Sequence, residues 1–167
     1  MGDNKVIGDW IVRLDNILPS NSRRILVKES KSLLMEGEVA ARCPGINYGT
    51  IFSGKQTLSN LHEVDTFTEV HTTLLDILRN KLTINYSIQG SWVSQLSRDS
   101  VWYSSDYGDI LIYYMKSFYD SLDFKDQKKI SVKKNSLYLF PAHLTHRPFL
   151  SKFPFKRYAL KMILRRV

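Results

Sequence analysis

Apolar residues recur at helical spacing in the first half of the chain and at alternate positions in the second half. A break at residues 18–20 precedes a stripe of Ile and Leu, which predicts a first helix that begins at Ser20 or Ser22 and ends at Gly37. A second apolar stripe, spaced by three and four residues, predicts another helix over residues 64–80. The first half of the chain is therefore expected to contribute two amphipathic helices.

Alternation with a period of two begins near Lys81 and continues to the end of the chain. Gly90 is expected to turn the chain between the first two of these strands. The predicted strands cover residues 82–88, 92–96, 110–118, 130–132, 137–140 and 158–164, after an early strand that begins at Asp9. Two helices combined with many short strands predict an α+β domain whose sheets form a sandwich or jelly roll.

Size and cysteine content limit the possible classes of protein. The chain has 167 residues, so residues 1–167 are expected to form a single domain. No apolar run reaches the ~18 residues of a membrane span, and the first residues lack the apolar core of a signal peptide. Cys43 is the one cysteine in the sequence, which favours a reducing, cytoplasmic location. Phosphate-loop and serine-hydrolase motifs are missing, so those two activities are not expected.

Positive charge is concentrated in the last quarter of the chain. The net charge is +8, yet residues 125–167 carry a net +11 and residues 1–124 a net −3. Such segregation either serves solubility or predicts a basic face that attracts nucleic acid or an acidic protein surface. The candidate anion contacts are Lys128, Lys129, Lys133, Lys134, Lys152, Lys156, Arg165 and Arg166. No membrane contact is expected, and the oligomeric state is left open.

The two ends of the chain resemble a known family of enzymes. WIVRLDNILPSNSRRIL (residues 10–26) has a strand, a D-N-x-L-P turn and the start of a helix, and SLYLFPAHLTHRP followed by KRYALKMIL has the pattern of two closing barrel strands. Both segments resemble the prolyl-4-hydroxylase-like branch of the iron(II)- and 2-oxoglutarate-dependent oxygenases, especially its small phage-encoded versions. The resemblance implies N-terminal helices packed on a double-stranded β-helix of the jelly-roll or cupin-like kind.

The resemblance also implies where a metal site would lie. In that family two histidines and one carboxylate hold iron(II), and a cation binds the far carboxylate of 2-oxoglutarate. By resemblance, His146 is the second histidine and Arg157 is the cation. The first histidine and the carboxylate are expected within residues 102–106, where Tyr103 faces the cofactor position and Asp106 is the one acid.

This set of side chains is poor in ligands for iron(II). The hydroxyl groups of Tyr103 and Ser105, which stand at the ligand positions, do not replace an imidazole and a carboxylate, and iron(II) is low in the divalent affinity series. The sequence therefore predicts a non-enzymatic binding protein on a degenerate oxygenase fold, with no cofactor. Its basic surface would engage nucleic acid or the host transcription machinery, such as RNA polymerase, and a phage origin with location in the host cytoplasm fits this hypothesis.

Two alternative functions stay open at the level of sequence. One is an active iron(II)/2-oxoglutarate-dependent hydroxylase that uses His146, Asp106 and one further ligand, with Arg157 binding the cosubstrate. The other is a structural or assembly component, for which the fold is a scaffold.

Overall fold

The computed structural model describes residues 5–6, 10–36, 54–96, 102–126, 129–152 and 154–167. Its first elements are strands β1 (Lys5–Val6) and β2 (Val12–Asp15), helix α1 (Ser20–Leu33), strands β3 (Met35–Glu36) and β4 (Lys55–Gln56), a 3-10 turn (Leu61–Glu63) and helix α2 (Asp65–Leu82). The later elements are strands β5 (Tyr86–Leu96), β6 (Asp109–Lys116), β7 (Ser121–Phe124), β8 (Ile130–Ser131), β9 (Ser136–Pro141), β10 (His146–Phe149) and β11 (Arg157–Arg166). The α+β class is confirmed.

Both helices end at residues other than those predicted from the apolar pattern. In each case the helix ends where the backbone leaves the helical region. Helix α1 ends at Leu33 because Leu34 is extended, with φ −71° and ψ 135°, so the predicted end at Gly37 is wrong. Helix α2 continues to Leu82 because Thr83 closes it in the left-handed conformation. Residue 82 therefore ends a helix and does not begin the predicted strand.

Strand β5 runs without a break through Gly90, so the turn predicted at this glycine is wrong. Gly90 pairs with Ile163 of β11, and the next pair along the two strands is Ile88 with Leu164. Gln89 is thus the extra residue of a β-bulge, and a glycine inside a strand commonly marks such a site. The bulge lets one long strand replace the two shorter ones that the sequence predicts.

The strands form two sheets in which all pairs are antiparallel. The larger sheet has eight strands in the order β1-β2-β9-β6-β11-β5-β4-β3, and the smaller has three in the order β10-β7-β8. Strands β7 and β10 have four residues each, which is too short for a period-two pattern to distinguish them from loops. Two antiparallel sheets agree with the expected sandwich or jelly roll.

Each face of the larger sheet carries its own hydrophobic cluster. One cluster includes Phe67 and Leu74 of helix α2 together with Leu160 of the sheet. The other includes Ile112 of the larger sheet and Phe124 of the smaller sheet. We refer to the face of the larger sheet that shares this second cluster as the inner face.

A buried histidine joins helix α2 to strand β5. His71 donates from Nδ1 to the carbonyl oxygen of Phe67 at 2.8 Å, and its Nε2 accepts from the hydroxyl group of Ser91 at 2.6 Å. Burial lowers the pKa of His71 to about 4, so the ring is neutral at pH 7. Both ring nitrogens therefore serve the fold.

Three residues named in the sequence analysis lie outside the described residues, namely Gly37, Cys43 and Lys128. In the described parts of the chain, no helix combines the length and the apolar character needed to span a membrane.

Candidate functional site

Strand β11 points alternate side chains to the two faces of the larger sheet. Tyr158 and Leu160 belong to the cluster shared with the helices, whereas Ala159 belongs to the cluster on the inner face. Because side chains on one face recur every second residue, Arg157 and Lys161 also lie on the inner face. Two cations are therefore carried into the space between the sheets by one strand.

Arg157 is held by a network of protein acceptors. Its side chain is 4% exposed, and Nε donates to the carboxylate of Asp120 at 3.2 Å. Its terminal nitrogens donate to the carbonyl oxygen of Phe155 at 2.8 Å and to the carbonyl and hydroxyl oxygens of Ser151. A buried guanidinium with this set of partners ties the start of β11 to the loops around it.

Asp120 is the acceptor at the centre of this network. Besides Arg157, its carboxylate accepts from the Ser117 hydroxyl group at 2.7 Å and from the backbone N–H groups of Phe118 and Ser151, both at 2.9 Å. Nothing in the sequence pattern marks Asp120, because its partners come from two separate loops. Arg157 keeps the role of cosubstrate-binding cation as a prediction, with its charge already balanced by Asp120.

Lys161 has different neighbours from Arg157. It pairs with Trp92 on strand β5 and with Ile112 on strand β6, so their side chains share the inner face. One step along β11, Ala159 pairs in the same way with Ser94 and Tyr114. These positions form two adjacent rows across three strands, with the small side chain of Ala159 at the middle of one row.

Three polar groups in these two rows are buried and have no hydrogen-bond partner among the described residues. They are the indole nitrogen of Trp92, the hydroxyl group of Ser94 and the phenol group of Tyr114. Their residues are at most 2% exposed. A buried polar group without a partner costs about 1–3 kcal/mol, so native proteins usually satisfy it with water or a ligand.

His146 begins strand β10 and is packed among aromatic rings. The ring of Phe140 lies 4.7 Å from the imidazole between centroids, that of Tyr103 lies at 5.5 Å, and that of Phe124 lies at 6.1 Å. Nδ1 of His146 lies 2.9 Å from the carbonyl oxygen of Leu144. A carbonyl only accepts, so Nδ1 carries the proton and Nε2 carries the lone pair that a metal or a donor would meet.

The segment that precedes β6 lies beside His146, as the sequence predicts. Tyr103 and His146 form an antiparallel bridge in which each N–H donates to the other's carbonyl oxygen, at 2.8 and 2.9 Å. The N–H of Ser105 donates to the carbonyl oxygen of Ala142 at 2.8 Å. Two backbone anchors thus hold Tyr103 and Ser105 at the end of the sandwich where His146 lies.

Burial shifts the ionisation of both His146 and Lys161. Burial, together with a smaller effect of the nearby charge of Lys161, lowers the pKa of His146 to about 4. Burial also lowers the pKa of Lys161 to about 8, although part of its side chain keeps contact with solvent. At pH 7 the site therefore holds a neutral imidazole and a mostly protonated ammonium group.

The described residues do not supply a set of ligands for iron(II). No group of three His, Cys, Asp or Glu side chains within the described ranges is placed to hold a metal ion. Asp106 is exposed in a bend, and the contacts of His146 given above are with aromatic rings and a backbone carbonyl. His146 is left as a lone imidazole, with Lys161 as the neighbouring charge.

An opening lies at the end of the sandwich where β11 finishes. A cavity of about 430 Å³ is lined there by Gln89, Ser105, Tyr107, Gly108, Ile163, Leu164 and Arg165. Ile163 follows Lys161 by two residues on the same face of β11. We refer to this cavity as the mouth.

The basic residues predicted to contact an anion are placed in separate regions. Lys152 and Lys156 precede β11 and Arg165 and Arg166 end it, so a ten-residue strand of ~30 Å separates the two pairs. Lys134 lines a different cavity, of about 520 Å³, beside helix α1.

Three members of the basic set lie near acids. The pairs are Lys129 with Asp123 at 4.0 Å, Lys133 with Asp15 at 3.9 Å and Arg166 with Asp109 at 2.9 Å. Neutralisation by these acids reduces the excess charge that the linear count suggests.

Comparison with solved structures shows the fold. A viral collagen prolyl hydroxylase from Paramecium bursaria Chlorella virus-1, in complex with 2-oxoglutarate, matches with a TM-score of 0.61 and 16% identity, covering 96% of this chain and 98% of that one. A Pseudomonas putida prolyl-4-hydroxylase matches with a TM-score of 0.58 and 11% identity, over 96% and 94% of the two chains. HygX from Streptomyces hygroscopicus, with nickel, 2-oxoglutarate and hygromycin B bound, matches with a TM-score of 0.65 and 11% identity, over 93% and 82%. Neither a family model nor a curated protein sequence matches the chain.

These similarities correct the main functional prediction. The solved structures that match nearly the whole chain are of enzymes, and none of the contacts within the described residues indicates nucleic acid. The prediction of a non-enzymatic nucleic-acid-binding protein is therefore wrong, and the alternative of an oxygenase is the better supported one. The resemblance seen at the two ends of the sequence is confirmed at the level of fold: this chain has the double-stranded β-helix fold of the 2-oxoglutarate oxygenases.

Proposed function

We propose that this chain acts as a 2-oxoglutarate-dependent oxygenase, with hydroxylation as its reaction. The observation that carries the proposal is the match of nearly the whole chain to a viral prolyl hydroxylase solved with 2-oxoglutarate. Residues 1–167 would form one domain of this type, because the match covers 96% of the chain and 98% of the hydroxylase. The helices would brace the outer side of the barrel, as the shared cluster of Phe67, Leu74 and Leu160 suggests.

The inner face offers suitable chemistry for the 2-oxo acid. Arg157 and Lys161 supply positive charge, and the indole of Trp92 and the phenol of Tyr114 supply hydrogen-bond donors that lack a described protein partner. The mouth would admit the substrate beside Ser105. Burial of the cosubstrate in this space would exclude water from the reacting atoms.

Iron(II) is the metal that an oxygenase of this kind uses to activate oxygen. The residues described here do not fit it, because His146 stands without a second imidazole or a carboxylate beside it. What the chain's own residues support is binding and orientation of the 2-oxo acid, with His146 kept neutral and its Nε2 lone pair available.

Anaerobic titration with iron(II) and 2-oxoglutarate tests the proposal. An oxygenase site should give a weak visible charge-transfer band, and admission of oxygen should convert 2-oxoglutarate to succinate. His146→Ala should abolish the band. His143→Ala is the matched control, because His143 is exposed and lies three residues away. Absence of both the band and succinate would refute the proposed function.

Other expectations from the sequence stay predictions. A cytoplasmic location is favoured by the single cysteine, and a phage origin by the resemblance to small phage-encoded oxygenases. An acidic protein surface as partner is a further proposal, for which Lys152 and Lys156 offer exposed charge next to β11.

A further inference from the structure

We propose that helix α1 and the end of strand β6 form a docking groove for a short, extended, acidic segment of a partner protein. The groove is the cavity of about 520 Å³ beside α1. Met115 of its lining belongs to the cluster shared with the helices, so the groove lies on the side of the larger sheet opposite the inner face. The inference therefore goes beyond the proposed function and does not depend on it. We refer to the cavity as the basic groove, after its basic lining residues Arg23, Arg24, Lys28, Lys31, Lys116 and Lys134.

The basic groove gathers positive charge from three parts of the chain. Four of its six cations belong to helix α1, and the other two come from the end of β6 and from the turn before β9. Arg24, Lys28 and Lys31 are four and three residues apart, so they follow one face of α1. Glu29, the one acid of this helix, is not part of the lining, and no other acidic residue lines the groove. An anionic partner would therefore meet cations alone.

The six cations of the basic groove also lack carboxylate partners outside its lining. Within the described ranges of the chain, none of them forms an ion pair with an acid. Lys129, Lys133 and Arg166 differ from them, because each of these three lies within 4.0 Å of an acidic oxygen. Like charges gathered on one surface repel each other. An acidic segment would be attracted to this surface and would reduce that repulsion.

Two further features of the basic groove favour a partner that accepts hydrogen bonds. Nε of Arg23 is buried and has no hydrogen-bond partner among the described residues. Helix α1 starts after Pro19 without a side-chain cap, and its first turn contains no acid. Ser20 and Asn21 of that turn line the groove, which places the uncapped end of the helix at this surface. Carboxylate oxygens suit both features, since they accept from guanidinium groups and from the N–H groups of a helix start.

The length of the basic groove indicates an extended ligand. Its lining follows α1 from Ser20 to Lys31, a distance of about 17 Å along the helix axis. An extended peptide covers this distance with about five residues. A compact anion such as tripolyphosphate would contact only part of the groove.

The apolar part of the lining favours a peptide over a nucleic acid. Ile25, Val27 and Met115 supply aliphatic surface among the cations, and Ile25 is 51% exposed. The ring of Phe118, which also lines the groove, already packs against Phe155 with 4.9 Å between centroids. Nucleobases bind by stacking on aromatic rings, whereas an aliphatic surface suits an apolar side chain between acidic ones.

Fluorescence anisotropy with a labelled acidic peptide tests the inference. The probe is a short peptide of glutamates with one central leucine, and the full chain is titrated into it. We expect binding that weakens by at least about threefold as sodium chloride rises from about 50 to about 300 mM. Lys28→Glu combined with Lys31→Glu should weaken binding by about tenfold or more, because two attractions become repulsions.

A matched control pair carries the same change in charge elsewhere. Lys81→Glu combined with Lys125→Glu alters two exposed residues outside the basic groove and should change the affinity by less than about threefold. Circular dichroism reports whether each double variant keeps the fold. If the first pair alters the spectrum, Arg24→Glu combined with Lys134→Glu repeats the test on two exposed residues from separate elements.

Competition distinguishes a peptide from other anions. Unlabelled acidic peptide should displace the probe more strongly than tripolyphosphate or an oligothymidylate of equal charge. Displacement at least as strong by oligothymidylate would identify a nucleic-acid backbone as the ligand, and by tripolyphosphate a compact phosphate, and either result would overturn the inference. Absence of binding at low salt, or equal weakening in the control pair, would also overturn it. Succinate formation in the oxygenase assay is measured separately, so failure of the proposed function leaves this test unaffected.

Discussion

Arg157 and Lys161 are two cations on the same face of one strand, yet their surroundings differ. Arg157 is paired with a buried carboxylate and with carbonyl and hydroxyl oxygens of the adjoining loops. Lys161 lies beside buried polar groups that have no hydrogen-bond partner among the described residues, and its charge acts on a neutral histidine. The first arrangement stabilises the fold, and the second places a charge beside unsatisfied polar groups. Proteins commonly accept such a local loss of stability at functional sites.

Of the substitutions that test this comparison, removal of Asp120 should change the stability of the protein most. Asp120→Ala leaves a buried guanidinium group without its counter-ion, which is expected to reduce the free energy of unfolding by about 3–5 kcal/mol. Urea denaturation followed by circular dichroism measures the change. The double variant Asp120→Ala with Arg157→Met should recover a large part of the loss, since no uncompensated charge remains. A single-variant loss below ~1 kcal/mol would show that the network is not structural.

Acidification should destabilise the protein through two histidines. His71 and His146 both have a pKa lowered by burial from 6.5 to about 4. Between these values the unfolded chain binds protons that the folded chain does not, so stability falls as the pH falls from 6.5 to 4. Each histidine can contribute up to ~3 kcal/mol by pH 4. Denaturation midpoints should fall as the pH is lowered across this range. If the midpoint of His71→Gln does not change with pH, the effect arises from His71 alone.

Replacement of Lys161 should stabilise the protein, in contrast to the removal of Asp120. Lys161→Met removes a buried charge and is expected to raise the free energy of unfolding at pH 7 by about 1–3 kcal/mol. The pKa of Lys161 is lowered from 10.5 to about 8, so the gain should be full below pH 8 and should vanish as the pH rises toward 10.5. Denaturation of both proteins at several pH values gives the difference. A destabilised variant at pH 7 would mean that Lys161 supports the fold as Arg157 does.

Replacement of a surface lysine should have the smallest effect. Lys133 lies 3.9 Å from Asp15, and its side chain is 62% exposed. Lys133→Met is expected to change the free energy of unfolding by no more than ~0.5 kcal/mol, because exposed ion pairs contribute little. The same urea titration measures it. A larger change would mean that charge at this position acts on the fold and that the contrast with Lys161 is not one of burial.

The sequence predicts the long elements well because their apolar residues repeat many times. Helix α2 and strand β11 follow their stripes closely, and the two terminal motifs identify the fold. Gly90 shows that the identity of a single residue does not determine the local structure. Glycine marks turns and bulges alike, and the choice between them is made by the pairing of β5 with β11.

Part of the site can also be predicted from the sequence. The proximity of Tyr103 and His146 follows from the family resemblance and is confirmed by the bridge between them. Lys161 interrupts the apolar positions of an otherwise buried strand, which is a signal for a cation facing the interior. Asp120 carries no such signal, because its role depends on loops brought together by the fold. The orphaned groups of Trp92 and Tyr114 likewise become visible when the strand register is known.

The bridge between Tyr103 and His146 also makes this chain a natural starting point for engineering. The backbone already holds position 103 against the imidazole with two hydrogen bonds of 2.8 and 2.9 Å, and position 105 is fixed by a third bond. Tyr103→His with Ser105→Asp would therefore install a new imidazole and a carboxylate on a preformed frame. A catalyst designer would need two new side chains, and no rebuilt loop, to ask whether this scaffold accepts a divalent ion.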